Sequence, residues 1–215
     1  MTLAISNLHV SIEGVPILHD VSLQVGTGQM VGLIGHNGAG KTTLIRTIMG
    51  LLDADSGTLT FDGQDLRSQP GFTRAGAGIS YLPEDRRLIP ALTVQENILL
   101  PVWANKLPAH EQRLEWVYSL IPEIAQFRDR KAMQLSGGQQ KLVALARSLM
   151  PGNKLLLLDE PFEGVAPVLS RRLSEVIAKL GQEGLCVLIS ESDDTHSADL
   201  VDAVFRIERG SVTAG

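Results

Sequence analysis

A glycine-rich run that ends in lysine and threonine is the segment whose residue types point most directly to chemistry. It comprises Gly35, His36, Asn37, Gly38, Ala39, Gly40, Lys41 and Thr42, and Thr43 follows it. This spacing is that of a phosphate-binding loop, because glycines let successive backbone N–H groups face phosphate oxygens. The dipole of a following helix adds positive potential. We predict that Lys41 reaches the β and γ phosphates of ATP and that the Thr42 hydroxyl binds Mg²⁺.

Two adjacent acids at the end of an apolar run would supply the second half of such a site. Residues 155–158 are four leucines, and Asp159 and Glu160 follow them. A phosphate loop needs an acid that holds Mg²⁺ and, for hydrolysis, a base that orients water. We predict that Asp159 binds the metal, directly or through water, and that Glu160 polarises the attacking water.

A third motif consists of Leu135, Ser136, Gly137, Gly138 and Gln139, followed by a helical stretch. A serine and glycine N–H groups at a helix start form a second phosphate-binding surface. A bare Ser-Gly-Gly is more often a loop or a plain N-cap. Lying between a phosphate loop and an acidic strand end, this motif resembles the signature motif of ABC ATPases. The resemblance to that family covers essentially the whole chain. It implies that the surface binds the γ phosphate of ATP held by a second such subunit, so that two domains close head to tail.

Two segments carry a closer resemblance within this family. Residues 81–98 and 159–167 are similar to the smaller ATPase of branched-chain amino-acid importers. The resemblance implies a transport ATPase that works with a second, related ATPase chain, two membrane permease subunits and, indirectly, an extracytoplasmic solute-binding protein. It also implies a peripheral location at the cytoplasmic face of the bacterial inner membrane. The transported solute is left open, because specificity lies in the permease and the binding protein.

Four positions depart from the general family pattern. Ile12 stands where most members carry an aromatic residue that stacks on adenine, and Glu84 stands at the position of a glutamine that touches Mg²⁺ and water. Ser192 replaces the switch histidine, and Ala166 replaces an aspartate in the loop after the acids. His196 could substitute for the histidine, but a surface helix position is the plainer interpretation.

The sequence is compatible with two other functions. The missing switch histidine favours a regulatory subunit that binds ATP and hydrolyses it slowly, whereas the intact Glu160 opposes that interpretation. A soluble ABC ATPase without a transport role is the other alternative. Such proteins generally carry tandem cassettes or long coiled-coil insertions, and the sequence has neither.

The hydrophobic pattern predicts the elements that position these motifs. Period-two alternation predicts strands at residues 8–12, 21–25 and 58–61, and Asp62-Gly63 reads as a turn. Continuous apolar runs at 30–34, 154–158 and 185–190 predict strands that are buried on both faces. Helices are predicted at 42–49, 110–121 and 167–180, with Pro122 ending or kinking the second. The order predicts an α/β fold: a P-loop NTPase core with a mainly parallel sheet, an antiparallel β subdomain and a helical subdomain at roughly 86–147.

Length and composition limit the remaining possibilities. The 215 residues suit a single domain spanning residues 1–215, and the net charge of −5 argues against a nucleic-acid partner. Cys186 lies in an apolar run and is predicted to be a core residue. We expect an intracellular protein without a signal peptide, since no basic leader precedes an apolar region and no apolar stretch is long enough to span a bilayer.

Two groups of residues in the middle of the chain have no assigned chemistry. Trp103 and Trp116 are predicted to pack within the helical subdomain. Arg86, Arg87 and Leu88 are candidates for a groove that, in the family, receives a short helix of the membrane subunit. A solvated basic loop is the alternative for each of them.

Overall fold

The structure, a computed structural model, describes residues 2–108, 110–152, 154–193 and 195–215. The strands are β1 (Leu3–Ile12), β2 (Val15–Val25), β3 (Met30–Ile34), β4 (Ser56–Phe61), β5 (Gln64–Asp65), β6 (Ile79–Leu82), β7 (Leu155–Asp159), β8 (Cys186–Glu191), β9 (Ala203–Glu208) and β10 (Ser211–Ala214). The α-helices are α1 (Lys41–Ile48), α2 (Val94–Asn105), α3 (His110–Leu120), α4 (Pro122–Ala125), α5 (Gly137–Leu149) and α6 (Pro167–Gln182).

A mainly parallel sheet forms the centre of the described part of the chain. Its strand order is β10-β9-β3-β8-β7-β6, and only the β9–β10 pair at one edge is antiparallel. Every residue of β3, β7 and β8 is buried, as the continuous apolar runs predict. These three neighbouring strands therefore bring their carboxyl ends to one edge of the sheet. Cys186 is a buried core residue, which confirms its prediction.

The N-terminal strands form a second, antiparallel sheet in the order β2-β1-β4-β5. One face of this sheet and α1 enclose an apolar core together with β3 and β7. The strands are longer than the alternation predicts, because register irregularities in β1 break the period of two. Asp62 and Gly63 form the predicted turn between β4 and β5. The α/β class with its antiparallel sheet is confirmed.

The segment between β6 and β7 is mainly helical. Thr93 and Glu96 form a capping box at the start of α2, and Pro122 occupies the first turn of α4, which ends α3 as predicted. α2 packs along α5, and together they enclose the second apolar core against one face of the parallel sheet. No helix of the described residues is both long and apolar enough to cross a membrane.

The two tryptophans behave differently from each other. Trp116 is partly buried against the helical core, stacks with the Arg113 guanidinium at 3.9 Å and donates its indole N–H to Glu183 at 3.0 Å. Trp103 is 51% exposed, so the prediction that it packs within the helices is wrong. It lies near the end of α2, where the core-facing positions are taken by Ile98 and Val102.

Candidate nucleotide site at the carboxyl ends of the parallel strands

The predicted phosphate loop connects β3 to α1. The Gly35 N–H donates to the carbonyl of Glu191 at 3.0 Å, which ties the start of the loop to the end of β8. A side chain at position 35 would collide with the carbonyl of Ile207, so only glycine fits there. Gly40 caps α1 with a φ of 113°, a conformation that side chains other than glycine rarely adopt. The loop is therefore shaped so that α1 begins at Lys41 and points its N-terminus into the site.

Lys41 is almost completely buried, with 4% of its surface exposed. Its ammonium donates to the carbonyl of Gly35 and to that of His36 at 3.2 Å. It also forms an ion pair with Glu160 at 3.0 Å, although these residues are far apart in sequence. The lysine thus stands directly beside the acid that follows β7, which is the juxtaposition expected of a nucleotide site.

Thr42 and Asp159 meet across the same edge of the sheet. The Thr42 hydroxyl lies 3.1 Å from Oδ1 of Asp159, and the Ser190 hydroxyl donates to that oxygen at 2.8 Å. The Tyr81 hydroxyl donates to Oδ2 at 3.0 Å. Burial raises the pKa of Tyr81, and the negative charge of Asp159 raises it further, so the phenol stays a donor. Side chains from α1 and from the two strands that flank β7 therefore orient one buried carboxylate.

This pair of oxygens fits a magnesium ion. Mg²⁺ prefers hard oxygen ligands at about 2.0–2.1 Å in octahedral geometry, which places neighbouring ligand oxygens about 2.9 Å apart. The Thr42 and Asp159 oxygens are 3.1 Å apart. They would need little rearrangement to become adjacent ligands.

Glu160 occupies an unusual backbone conformation. Its φ is 46°, in the left-handed region that is unfavourable for a residue with a Cβ atom. The N–H donates to the carbonyl of Ser190 at 3.1 Å, and the carbonyl accepts from the Lys141 ammonium at 3.1 Å. These contacts on both sides hold the peptide in place and aim the side chain at the phosphate loop.

The Glu160 carboxylate is part of a network around the switch position. Ser192 lies with its hydroxyl 3.3 Å from both carboxylate oxygens and 2.9 Å from Oδ1 of Asn37. A hydroxyl has a single proton, so it can donate to only one of these acceptors at a time. The serine therefore touches both the phosphate loop and Glu160.

Two buried ionisable residues at this edge have no counterpart in the sequence prediction. Glu191 is 7% exposed, and its Oε1 has no hydrogen-bond partner among the described residues. Burial, together with the charges of Glu160 and Asp193, raises its pKa to about 8. Lys141, on α5, is 2% exposed. In the sequence, Glu191 and Lys141 are each a charged residue within a hydrophobic pattern. That pattern does not show what such a residue contacts.

The signature residues begin α5. Ser136 accepts from the Gln139 N–H at 3.3 Å, and Gln139 accepts from the Ser136 N–H at 3.0 Å, which completes a capping box. Leu135 is buried, whereas Ser136 and Gly137 are exposed. Gly138 lies so close to Leu169 of α6 that a Cβ there would be 2.7 Å from the Leu169 side chain. Among the described residues, no hydrogen bond or ion pair joins this motif to the phosphate loop.

The other predicted site residues lie around these motifs. Ile12 is 37% exposed and pairs with Val15 at the β1–β2 turn. Glu84 is exposed, two residues beyond the end of β6. Ala166 caps α6 without a side-chain hydrogen bond. His196 is exposed as expected, but it lies in a turn rather than a helix, with Nδ1 3.2 Å from the Ser170 hydroxyl.

The candidate groove residues follow Glu84 directly. Arg86 donates to the Gln140 side chain at 3.3 Å, and Arg87 pairs with Asp85 at 3.0 Å. Leu88 is partly buried against the helical core. A cleft of about 630 Å³ lies on the other side of the site, between the phosphate loop, Ser192 and residues 206–209.

Comparisons with known proteins agree with this geometry. Residues 18–163 match the family model described as ABC transporter. The high-affinity branched-chain amino acid transport ATP-binding protein BraG of Pseudomonas aeruginosa is 36% identical over 195 residues, which are 91% of this chain and 84% of that protein. The lipopolysaccharide export system ATP-binding protein LptB of Haemophilus influenzae is 36% identical over 214 residues, covering 99% of this chain and 89% of that protein.

Solved structures show the same fold. A nucleotide-free ATP-binding cassette from an ABC transporter has a TM-score of 0.86 at 28% identity, and the match covers 100% of this chain and 90% of that one. The ADP conformation of an ATP-binding cassette has a TM-score of 0.85 at 28% identity, with the same coverage. The predicted resemblance is confirmed. The chain belongs to the ABC transporter family, and it is an ATP-binding protein whose ATPase activity is coupled to transport.

Proposed function

We propose that the chain is the ATP-binding and ATP-hydrolysing subunit of an ABC importer that energises uptake of branched-chain amino acids or similar small solutes. The observation that carries the catalytic part is the convergence of four side chains. Lys41 lies 3.0 Å from Glu160, and Thr42 lies 3.1 Å from Asp159. A phosphate-binding amine, a metal-binding pair and a base are therefore within reach of one bound triphosphate.

The roles follow from these contacts. The N–H groups of residues 35–43 bind the phosphates, and the Lys41 ammonium exchanges its carboxylate and carbonyl partners for phosphate oxygens. Glu160, released from that ion pair, accepts a proton from the attacking water. Thr42 and Asp159 would hold Mg²⁺, which supplies neutralisation of the phosphate charge when it is bound.

Three flanking positions complete the proposed site. Ile12 contributes apolar contact to adenine but no ring stacking. Glu84, at the family's glutamine position, would accept a hydrogen bond from water in the site. The Ser192 hydroxyl, which lies near both Asn37 and Glu160, replaces the longer histidine at the switch position. A serine reaches less far, so this chain's own site is expected to turn over more slowly than one with histidine.

The signature residues Leu135, Ser136, Gly137, Gly138 and Gln139 would act in trans. Their exposed serine and glycine at a helix start suit the γ phosphate of ATP on a second, related ATPase chain. ATP that binds the closed pair better than the open pair shifts the equilibrium toward closure by its differential affinity. Two membrane permease subunits would receive that motion at the cytoplasmic face of the inner membrane, and an extracytoplasmic solute-binding protein would deliver the solute.

Export is a second candidate, because a specific observation favours it. The lipopolysaccharide export ATPase is as similar as the amino-acid transport protein and matches more of the chain. The two directions call for different partners. Purification of the native complex, followed by ATPase assays with branched-chain amino acids and with lipopolysaccharide, separates them. Stimulation by lipopolysaccharide alone would refute the import proposal, as would recovery of ribosomes or DNA in place of a permease.

A regulatory role for this subunit is tested by the same complex. We expect Glu160→Gln in this chain to lower ATP turnover of the complex strongly, while ATP still binds. If only the equivalent change in the second ATPase abolishes turnover, Glu160 is not a working base and the regulatory interpretation, which the serine at the switch position favours, replaces ours.

A further inference from the structure

Lys141 is a buried cation that the proposed mechanism leaves unused. It lies in the second turn of α5, just after the signature residues, and is 2% exposed. A buried ammonium is stable only when its protons find acceptors. Here Nζ donates to the carbonyl of Glu160 at 3.1 Å and reaches the carbonyl of Glu84 at 3.5 Å. One side chain of α5 therefore joins the loop at Glu84 to the acid that follows β7.

The carbonyl that Lys141 holds belongs to the strained peptide of Glu160. Left-handed backbone at a residue with a Cβ persists only when its surroundings fix it. The Glu160 N–H is held by Ser190 at 3.1 Å, and its carbonyl accepts from Lys141 and from the Glu163 N–H at 3.2 Å. Without the lysine, one weaker contact within the same turn would remain on the carbonyl side. Lys141 is therefore the only charged donor on the carbonyl side of the described peptide that carries the carboxylate.

The loop at Glu84 is fastened to the same helix by other side chains. The Arg147 guanidinium donates to the carbonyls of Arg86 and Arg87, the latter at 2.6 Å. Gln140 accepts from Arg86 at 3.3 Å. Helix α5 and this loop are thus tied together at several points, and of these side chains Lys141 is the one that continues to Glu160.

Charged groups of the Glu84 loop and of the strand ends act on the Lys141 amine. Burial lowers the pKa of Lys141, and Arg86 lowers it further, whereas Glu84, Glu191 and Asp159 act in the opposite direction. The ammonium therefore interacts with the loop at Glu84, with the metal-binding acid Asp159 and with the carboxyl group of Glu191. A neutral side chain of the same length would fill the space but make none of these interactions.

We propose that Lys141 is a positioning residue for ATP hydrolysis, which links the loop at Glu84 to the catalytic carboxylate through the Glu160 carbonyl. This inference rests on the proposed role of Glu160. A shift of α5 together with the Glu84 loop would move the Glu160 peptide through Lys141. A displacement of the loop would therefore alter the position of the Glu160 carboxylate independently of the nucleotide.

The test compares four variants in the native transporter complex. Lys141→Met removes the donors at nearly constant shape, Lys141→Arg retains them, and Lys179→Met makes the same change at an exposed lysine of α6. Glu160→Gln serves as the reference for loss of the base. ATP turnover gives kcat and KM for each complex, and ADP titration of the isolated chain gives its nucleotide affinity.

We expect Lys141→Met to lower kcat about tenfold, with KM for ATP and the ADP affinity within about twofold of wild type. Lys141→Arg should recover most of the turnover, and Lys179→Met should match wild type. If Lys141→Met does not fold, Lys141→Gln, whose side chain is uncharged and too short to span both carbonyls, is measured instead and should show the same split.

Two results would overturn the inference. One is a kcat of Lys141→Met within twofold of wild type while Glu160→Gln is inactive, which refutes the role of the lysine alone. The other is a raised KM at unchanged kcat, which would make Lys141 a binding residue. Wild-type turnover of Glu160→Gln would instead refute the proposed function of the base, so the two failures are distinguishable.

Discussion

Replacement of the buried Glu191 carboxyl by an amide should stabilise the chain increasingly as the pH rises. Glu191 is 7% exposed, and burial together with Glu160 and Asp193 raises its pKa from 4.5 to about 8. Lys141 and the Phe162 N–H act in the opposite direction but do not cancel this effect. The folded chain therefore keeps a proton on Glu191 in a pH range in which the unfolded chain releases it.

The sign and size of the effect follow from proton linkage. Below pH 4.5 the group is neutral in both states, so its favourable contribution to folding is fully present. Between pH 4.5 and about 8 the unfolded state binds fewer protons than the folded state, so the free energy of unfolding falls as the pH rises. At about 1.4 kcal/mol per pH unit, the full interval corresponds to on the order of 5 kcal/mol. Because Glu191 borders a cleft of about 480 Å³ that water can enter, we expect about 2–5 kcal/mol.

Urea unfolding of the isolated chain measures this difference. Wild type and Glu191→Gln are compared at pH 5 and pH 8.5 without nucleotide, and Glu115→Gln, at an exposed position of α3, is the matched control. The amide cannot ionise, so the variant should have nearly wild-type stability at pH 5 and exceed it at pH 8.5. The control should follow wild type at both. An equal stability difference between Glu191→Gln and wild type at the two pH values would refute the reasoning.

Three further changes test other parts of the structure. Ala166→Asp supplies the missing N-cap of α6 and should raise the free energy of unfolding by about 1 kcal/mol, measured in urea; an unchanged value would contradict the cap geometry. Gly35→Ala forces a side chain against the Ile207 carbonyl and should lower the free energy of unfolding by more than about 2 kcal/mol. Gly38→Ala, whose added Cβ would have no atom within 4 Å, should lower it by about 1 kcal/mol because of its positive φ. Thermal unfolding compares the two variants, and equal losses would count against the collision at position 35. Ser192→His should raise kcat of the complex about tenfold, and no increase in steady-state turnover would show that the short side chain does not limit hydrolysis.

The sequence predicts the elements whose patterns are strong. Continuous apolar runs identify the strands that carry the phosphate loop and the acids, because burial on both faces leaves no polar position. The antiparallel strands are predicted too short, since register irregularities in β1 interrupt the alternation. Residue type alone did not predict the exposure of Trp103, because an aromatic residue on a helix can face solvent as well as the core.

The site is predictable where a residue type has one chemical role at a given spacing. Lys41, Thr42 and Asp159 come together as the motifs indicate. Glu191 and Lys141 could not be found in this way, because their effect depends on contacts between strands and helices that are distant in sequence. Their burial, and the left-handed backbone of Glu160, arise only when β7, β8 and α5 meet.

In the proposed mechanism, the ion pair between Lys41 and Glu160 couples nucleotide binding to the activation of Glu160 as the base. In the structure the ammonium and the carboxylate satisfy each other in a buried setting, where an unpaired charge is costly. Phosphate oxygens that bind Lys41 would displace its present partners, the Gly35 and His36 carbonyls and Glu160, and Glu160 would then need another partner. The Ser192 hydroxyl at 3.3 Å is one such partner, and a water molecule poised for attack is another. A base that Lys41 holds in this way is kept from acting while the site is empty. Once released, its carboxylate can bind the water that attacks the phosphate.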